Sequence, residues 1–371
     1  MLSLLLAFAA LHRASSLPPA ALHRASLHRA SPLPTARQSI IRMCIESCPV
    51  IIVPGFGNAD IDYVLPLEQP EDTGLRAALT RRGFTDVRVL PVERYEWAKV
   101  IFGLLFAIIF GALFPKAATP SGPAYSWFVD RLRAAVEEAH VQSGGDRVLL
   151  IGHSAGGWLA RAMLANGEWL PSAGAGELPS ERAADLVSGL VTLGTPHFPP
   201  PEGVPDMTQG VLKFVNDEYP AAFLADDGIA YVTVGGDAIV GDNSRQPASA
   251  GSASRVAYNS YEMVCGRGDV SGDGVVPLSY TLLEGAAQLT LDGVLHSINE
   301  AGTTLPTDRW YGSEKVVDRW LPAVRTQVAH AERQRSGGGG ASATTAAQKT
   351  LEKLTSGLRT WASEQAGGPR K

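Results

Sequence analysis

The stretch from Arg147 to Ala165 constrains this chain more than any other. A short strand-forming run, Arg147–Ile151, leads straight into Gly152-His153-Ser154-Ala155-Gly156, and Gly156–Ala165 continues in helical register. A strand that becomes a helix this abruptly needs small residues where the backbone doubles back, and Gly152 and Gly156 supply them. The Gly-x-Ser-x-Gly word then lifts the Ser154 hydroxyl clear of a sheet and sets it at a helix N-terminus. The free amides and dipole there favour developing negative charge. With 39 Gly in the chain such a word can arise by chance. The strand before it and the helix after it favour a nucleophile elbow.

Further along, short apolar runs alternate with helical patterns. Strands are predicted over Pro49–Val53, Asp86–Leu90, Gly189–Leu193, Ile229–Val234 and Ala287–Leu291, and helices over Ser126–His140 and Val316–Val328. The first helix carries Trp127, Phe128, Leu132, Ala135, Val136 and Ala139 on one side. Strands alternating with helices imply an α/β protein with a mostly parallel sheet covered on both faces.

A serine hydroxyl is a poor nucleophile until a base takes its proton, and the base needs an acid to orient it. In the order serine, acid, histidine, the base falls after the last strand, where Leu291-Asp292-Gly293-Val294-Leu295-His296-Ser297 offers His296. Two acids fit that order, Asp237 directly after the Ile229–Val234 strand and Asp273 in Asp273-Gly274-Val275-Val276-Pro277, with Asp269 behind both; Asp273 is preferred because its segment resembles the acid motif of many lipases. Oxyanion donors are expected from the amides of Ala155, next to the nucleophile, and Phe56, in Pro54-Gly55-Phe56-Gly57. His153 and His197 are candidates for lining a substrate pocket, although the side chain of His153 should point away from Ser154.

Composition limits the alternatives. The chain has 371 residues, 45% of them hydrophobic, enough for one large core. A net charge of −5 gives no electrostatic case for nucleic acid. Cys44, Cys48 and Cys265 make neither a disulfide framework nor a metal cluster, so no metal or cofactor is expected. Residues 1–45 form a separate leader without Asp or Glu, apolar at first and then Arg- and Ser-rich, with Leu-His-Arg-Ala-Ser starting at Leu11, Leu22 and Leu27. That leader resembles the bipartite leaders of proteins sent to complex plastids in algae; the alternative is a secretory signal with a spacer. A hydrolase-like domain is expected over 46–330, interrupted at about 99–116 by an apolar run. Residues 100–114 are too short for a spanning helix, which leaves a buried core helix or membrane-surface association. Residues 331–371 read as a Gly/Ser linker and a tail with a short amphipathic pattern.

Several words together carry a family resemblance. Ile151-Gly152-His153-Ser154-Ala155-Gly156-Gly157-Trp158-Leu159-Ala160-Arg161, Thr192-Leu193-Gly194-Thr195-Pro196-His197, the Asp273 and His296 segments, and Trp310-Tyr311-Gly312-Ser313 are similar to plant and algal α/β-hydrolases related to lipases. The first two words are more distantly similar to triacylglycerol lipases and GPI inositol deacylases. The resemblance spans about Val50 to Leu321. It implies an α/β-hydrolase fold, a Ser154–Asp273–His296 triad and a plastid setting, and fixes no substrate. The expected activity is hydrolysis of a carboxylic ester, with an apolar ester or lipid as substrate, because the 100–114 run and Leu193-Gly194-Thr195-Pro196-His197 favour an apolar pocket. Alternatives are a thioesterase, a pigment or prenyl-ester hydrolase, or a non-catalytic binding protein on the same fold.

Overall fold

A computed structural model describes residues 46–103, 119–166, 179–208, 210–244 and 251–337. The leader, most of the 99–116 run and the tail beyond 337 lie outside these residues.

Six strands form one parallel sheet in the order β2-β1-β3-β4-β5-β8. They are β1 (Val50–Val53), β2 (Val87–Val89), β3 (Val148–His153), β4 (Val187–Leu193), β5 (Ala230–Asp237) and β8 (Ala287–Asp292). A second, two-stranded antiparallel sheet pairs β6 (Ile239–Val240) with β7 (Ser271–Gly272). Every residue of β1, β3 and β4 is buried, as continuous apolar runs in a sheet covered on both faces require.

Alternate residues of each strand serve two separate cores. Ile51, Val53, Val148 and Leu150 pack with Phe128, Leu132 and Val136 of α2 (Ser126–Gln142) and Leu159 and Met163 of α3 (Ala155–Asn166). Val50, Ile52, Leu149 and Ile151 pack on the other side with Leu75 and Leu79 of α1 (Leu75–Thr80) and Val317, Trp320 and Val324 of α8 (Glu314–Gly337). The layers are helix, sheet, helix.

Two boundaries and several helices differ from expectation. Strand β5 continues through Gly235 and Gly236 to Asp237, because β8 pairs with it to the end, Asp237 opposite Asp292. Helix α8 continues to Gly337, past the expected limit at 330. Its last turns stay docked: Ala331 is buried, and Arg335 bonds the Ala184 carbonyl and Asp185. Between the strands, α4 (Pro179–Leu186), α5 (Val211–Glu218), α6 (Gly251–Cys265) and α7 (Leu278–Thr281) are helices beyond those the periodicity indicated.

The chain moves from β1 outward to β2, then returns to lay β3 on the other side of β1. The loops leaving β1 and β3 therefore diverge at a topological switch point, the usual place for a crevice at the carboxyl ends of parallel strands. These loops carry Phe56 and Ser154.

Leu150 is fully buried in the sheet centre. Leu150→Ala is expected to cost about 2–5 kcal/mol, read as a lower urea midpoint with an unchanged slope. A loss below about 1 kcal/mol would contradict this packing.

Candidate active site

Ser154 sits between β3 and α3 with φ of +51°, a left-handed conformation that costs a non-glycine residue about 1–3 kcal/mol. Neighbours hold it there. The Ser154 amide donates to the Leu193 carbonyl at 2.9 Å, and the Thr195 hydroxyl donates to the Ser154 carbonyl at 2.8 Å. The two elbow glycines are needed for close approach. A Cβ on Gly152 would lie 2.4 Å from the Gly157 Cα, and one on Gly156 would lie 2.3 Å from the Val53 carbonyl oxygen.

Contact between α3 and the end of β1 brings the next loop against the serine. A Cβ on Gly55 would fall 2.8 Å from the Ser154 Cβ. The amides of Phe56 and Ala155 have no protein acceptor among the described residues. The Phe56 ring rests on Trp97, with centroids 5.1 Å apart.

His296 follows β8, and Asp273 follows β7. The His296 Nδ1–H donates to Asp273 Oδ2 at 2.8 Å, and the His296 amide donates to the Asp273 carbonyl at 2.9 Å. Three further donors converge on the carboxylate. The Val275 and Val276 amides bond Oδ1 at 3.0 and 2.7 Å, and the Tyr311 hydroxyl bonds Oδ2 at 2.8 Å. The carboxylate is fully buried, and hydrogen bonds to both oxygens offset its desolvation. Burial first, then the Asp273 charge, raises the Tyr311 pKa well above that of an ordinary tyrosine, so it stays a donor. With Nδ1 protonated, the His296 Nε2 is the free base. No hydrogen bond joins it to the Ser154 hydroxyl in this structure; such bonds commonly tighten only when substrate is bound.

Asp273, rather than Asp237, is brought to His296. Asp237 lies in the strand itself and accepts a hydrogen bond from the Ser271 hydroxyl. Asp269 pairs with Arg267 at the surface, 3.2 Å away.

Both histidines offered for the pocket are buried. His153 is buried with Nδ1 2.9 Å from the Tyr63 hydroxyl and Nε2 3.0 Å from the His296 carbonyl. His197 is buried with Nε2 3.1 Å from the Thr192 hydroxyl and Nδ1 3.5 Å from Arg161 Nη1. Burial holds both neutral, His153 at a pKa of about 3 and His197 well below the usual value. Their polar nitrogens face the protein interior, where each finds a partner.

Sequence reasoning missed Tyr311, Tyr63 and the role of Gly194. Gly194 has φ of +58°, and a Cβ there would lie 2.6 Å from Asp273 Oδ2 and 3.0 Å from His296 Nδ1. That explains a glycine in Leu193-Gly194-Thr195. Gly194→Ala is expected to push acid and base apart and to lower any Ser154-dependent turnover about 100-fold, with the α/β circular dichroism retained. Unchanged turnover would contradict the observed geometry.

Residues 131–246 match the family described as the PGAP1-like alpha/beta domain. No curated protein matches the sequence. Two structures of phospholipase PlaB from Legionella pneumophila superpose on the chain at 15% identity and a TM-score of 0.38. One, a complex with thio-NAD, covers 67% of this chain and 52% of its own; the other covers 76% and 64%. The chain thus spans between about half and two thirds of the length of PlaB. The parallel sheet and the serine turn between β3 and α3 fit an α/β-hydrolase fold, and residues 131–246 within it are similar to the PGAP1-like alpha/beta domain.

Proposed function

We propose that the protein hydrolyses carboxylic esters with Ser154 as nucleophile, His296 as base and Asp273 as the acid that orients it. The observation that carries this reading is the buried Asp273–His296 hydrogen bond, which occupies Nδ1 and leaves Nε2 as the nitrogen that would serve a strained Ser154. His296 takes the Ser154 proton as Oγ attacks the ester carbonyl. The oxyanion accepts hydrogen bonds from the Phe56 and Ala155 amides, both without protein acceptors. The imidazolium, stabilised by Asp273, returns its proton to the leaving alcohol. Water then repeats the attack on the acyl-enzyme, giving the carboxylic acid and free Ser154.

The substrate proposed is a lipid or another apolar acyl ester. The similarity of residues 131–246 to the PGAP1-like alpha/beta domain supports it. So do four exposed apolar side chains, Phe56, Ile61, Tyr95 and Phe102, on the stretch of sequence between the oxyanion loop and the apolar 104–114 run. We assign them to contact with a lipid surface. The acid-free leader supports delivery to a plastid.

Purified protein is expected to hydrolyse p-nitrophenyl esters, long acyl chains in preference to short. Ser154→Ala should lower kcat about 10⁴-fold or more. Turnover that survives Ser154→Ala would contradict the assignment of the nucleophile. A preference for short chains would contradict the lipid substrate.

A further inference from the structure

The oxyanion loop and the loop carrying His296 arise from distant parts of the chain, yet catalysis on the proposed reading needs both fixed to the same serine. We infer that Tyr63 and His153 form a positioning relay that locks these two loops together. The inference rests on the hydrolase reading above.

The relay is continuous. The Gly55 amide and the Asn58 side-chain amide both donate to the Tyr63 hydroxyl, each at 3.0 Å. The phenolic proton then points to His153 Nδ1, 2.9 Å away. On the other side of the ring, Nε2 lies 3.0 Å from the His296 carbonyl. A carbonyl only accepts, so Nε2 carries the hydrogen and Nδ1 is the acceptor that Tyr63 requires. One tautomer satisfies every partner.

Packing reinforces the hydrogen bonds. The rings of His153 and His296 lie 4.9 Å apart at 39°, and Trp310 closes edge-on over Tyr63 and His153 at 6.2 and 6.1 Å. Tyr63 and His153 are almost completely buried, so a lost hydrogen bond here would not be replaced by bulk water. Trp310 is followed by Tyr311, which holds Asp273. The residue preceding the nucleophile therefore reaches the oxyanion loop through Tyr63 with one nitrogen and the backbone of His296 with the other. A neutral His153 is also needed beside His296, because a second cation at that distance would oppose the imidazolium that forms in each half-reaction.

The test counts active sites with a fluorophosphonate probe, so that kcat is expressed per reactive serine. Tyr63→Phe removes the acceptor for the Gly55 amide and the donor to His153. It should lower kcat per site about 10-fold, with KM within about 2-fold. His153→Gln keeps an amide donor for the His296 carbonyl but loses the rigid ring. The double variant should be no worse than the worse single one, as expected for parts of one unit. A purely structural role would instead lower stability and the fraction of reactive sites while leaving kcat per site unchanged, and that result overturns the relay alone. A wild-type protein inert to the probe overturns the hydrolase reading and the relay with it. If neither variant folds, ¹⁵N NMR of the wild-type histidines decides. His153 should remain the neutral Nε2–H tautomer from about pH 5 to about pH 9. An Nδ1–H tautomer, or titration within that range, overturns the proposal.

Discussion

The close approach of helix α3 to the end of strand β1 is the constraint on which the candidate site depends. With Gly156 almost touching the Val53 carbonyl, the elbow helix and the first strand lie nearer than any side chain would permit. That contact sets the Pro54–Gly57 loop beside Ser154 at the switch point of the sheet, and the Phe56 and Ala155 amides on these segments have no protein acceptor among the described residues. Parallel pairing of β1, β3 and β4 then fixes the height of the serine. Its amide is tied to Leu193 and its carbonyl to Thr195, both at the end of β4. A strained residue persists only where its surroundings over-determine it, and Ser154 is held by the strand on one side and the helix on the other.

The proposed acid–base pair, Asp273 and His296, obeys a different constraint. A carboxylate removed from water is tolerable only if its oxygens find donors, and Asp273 has four: two backbone amides, His296 and Tyr311. Tyr311 is fixed in turn by the Gly236 amide, which donates to its hydroxyl at 2.7 Å, and by its own carbonyl, which accepts from the Trp320 indole at 3.0 Å. Helix α8 thereby connects to the acid. The charge is confined to one place, and the base it orients keeps a single tautomer.

Much of this was legible in the sequence because it is local. Buried parallel strands read as unbroken apolar runs, and β1, β3 and β4 are such runs. The elbow was legible because strand, Gly-x-Ser-x-Gly and helix are contiguous. The acid was ambiguous for a physical reason. Both Asp237 and Asp273 follow turn-like glycines, and only the pairing of β5 with β8, invisible to periodicity, keeps Asp237 in the sheet. His153 illustrates the converse. Its side chain was expected to point away from Ser154, but the partners that hold it, Tyr63 and the His296 carbonyl, are distant in sequence. Tyr63 and Tyr311 act through long-range hydrogen bonds that no local pattern announces. Helix α6 has its buried Ala257 and Tyr261 four residues apart, but its start among small polar residues gave no clear boundary.

A crystal structure of the protein after reaction with diethyl p-nitrophenyl phosphate tests the central claim most directly. The account predicts phosphorus bonded to Ser154 Oγ, the phosphoryl oxygen within hydrogen-bond reach of the Phe56 and Ala155 amides, and His296 Nε2 facing the site of the departed group with its bond to Asp273 intact. An adduct on another residue, or a phosphoryl oxygen turned away from those two amides, would contradict it.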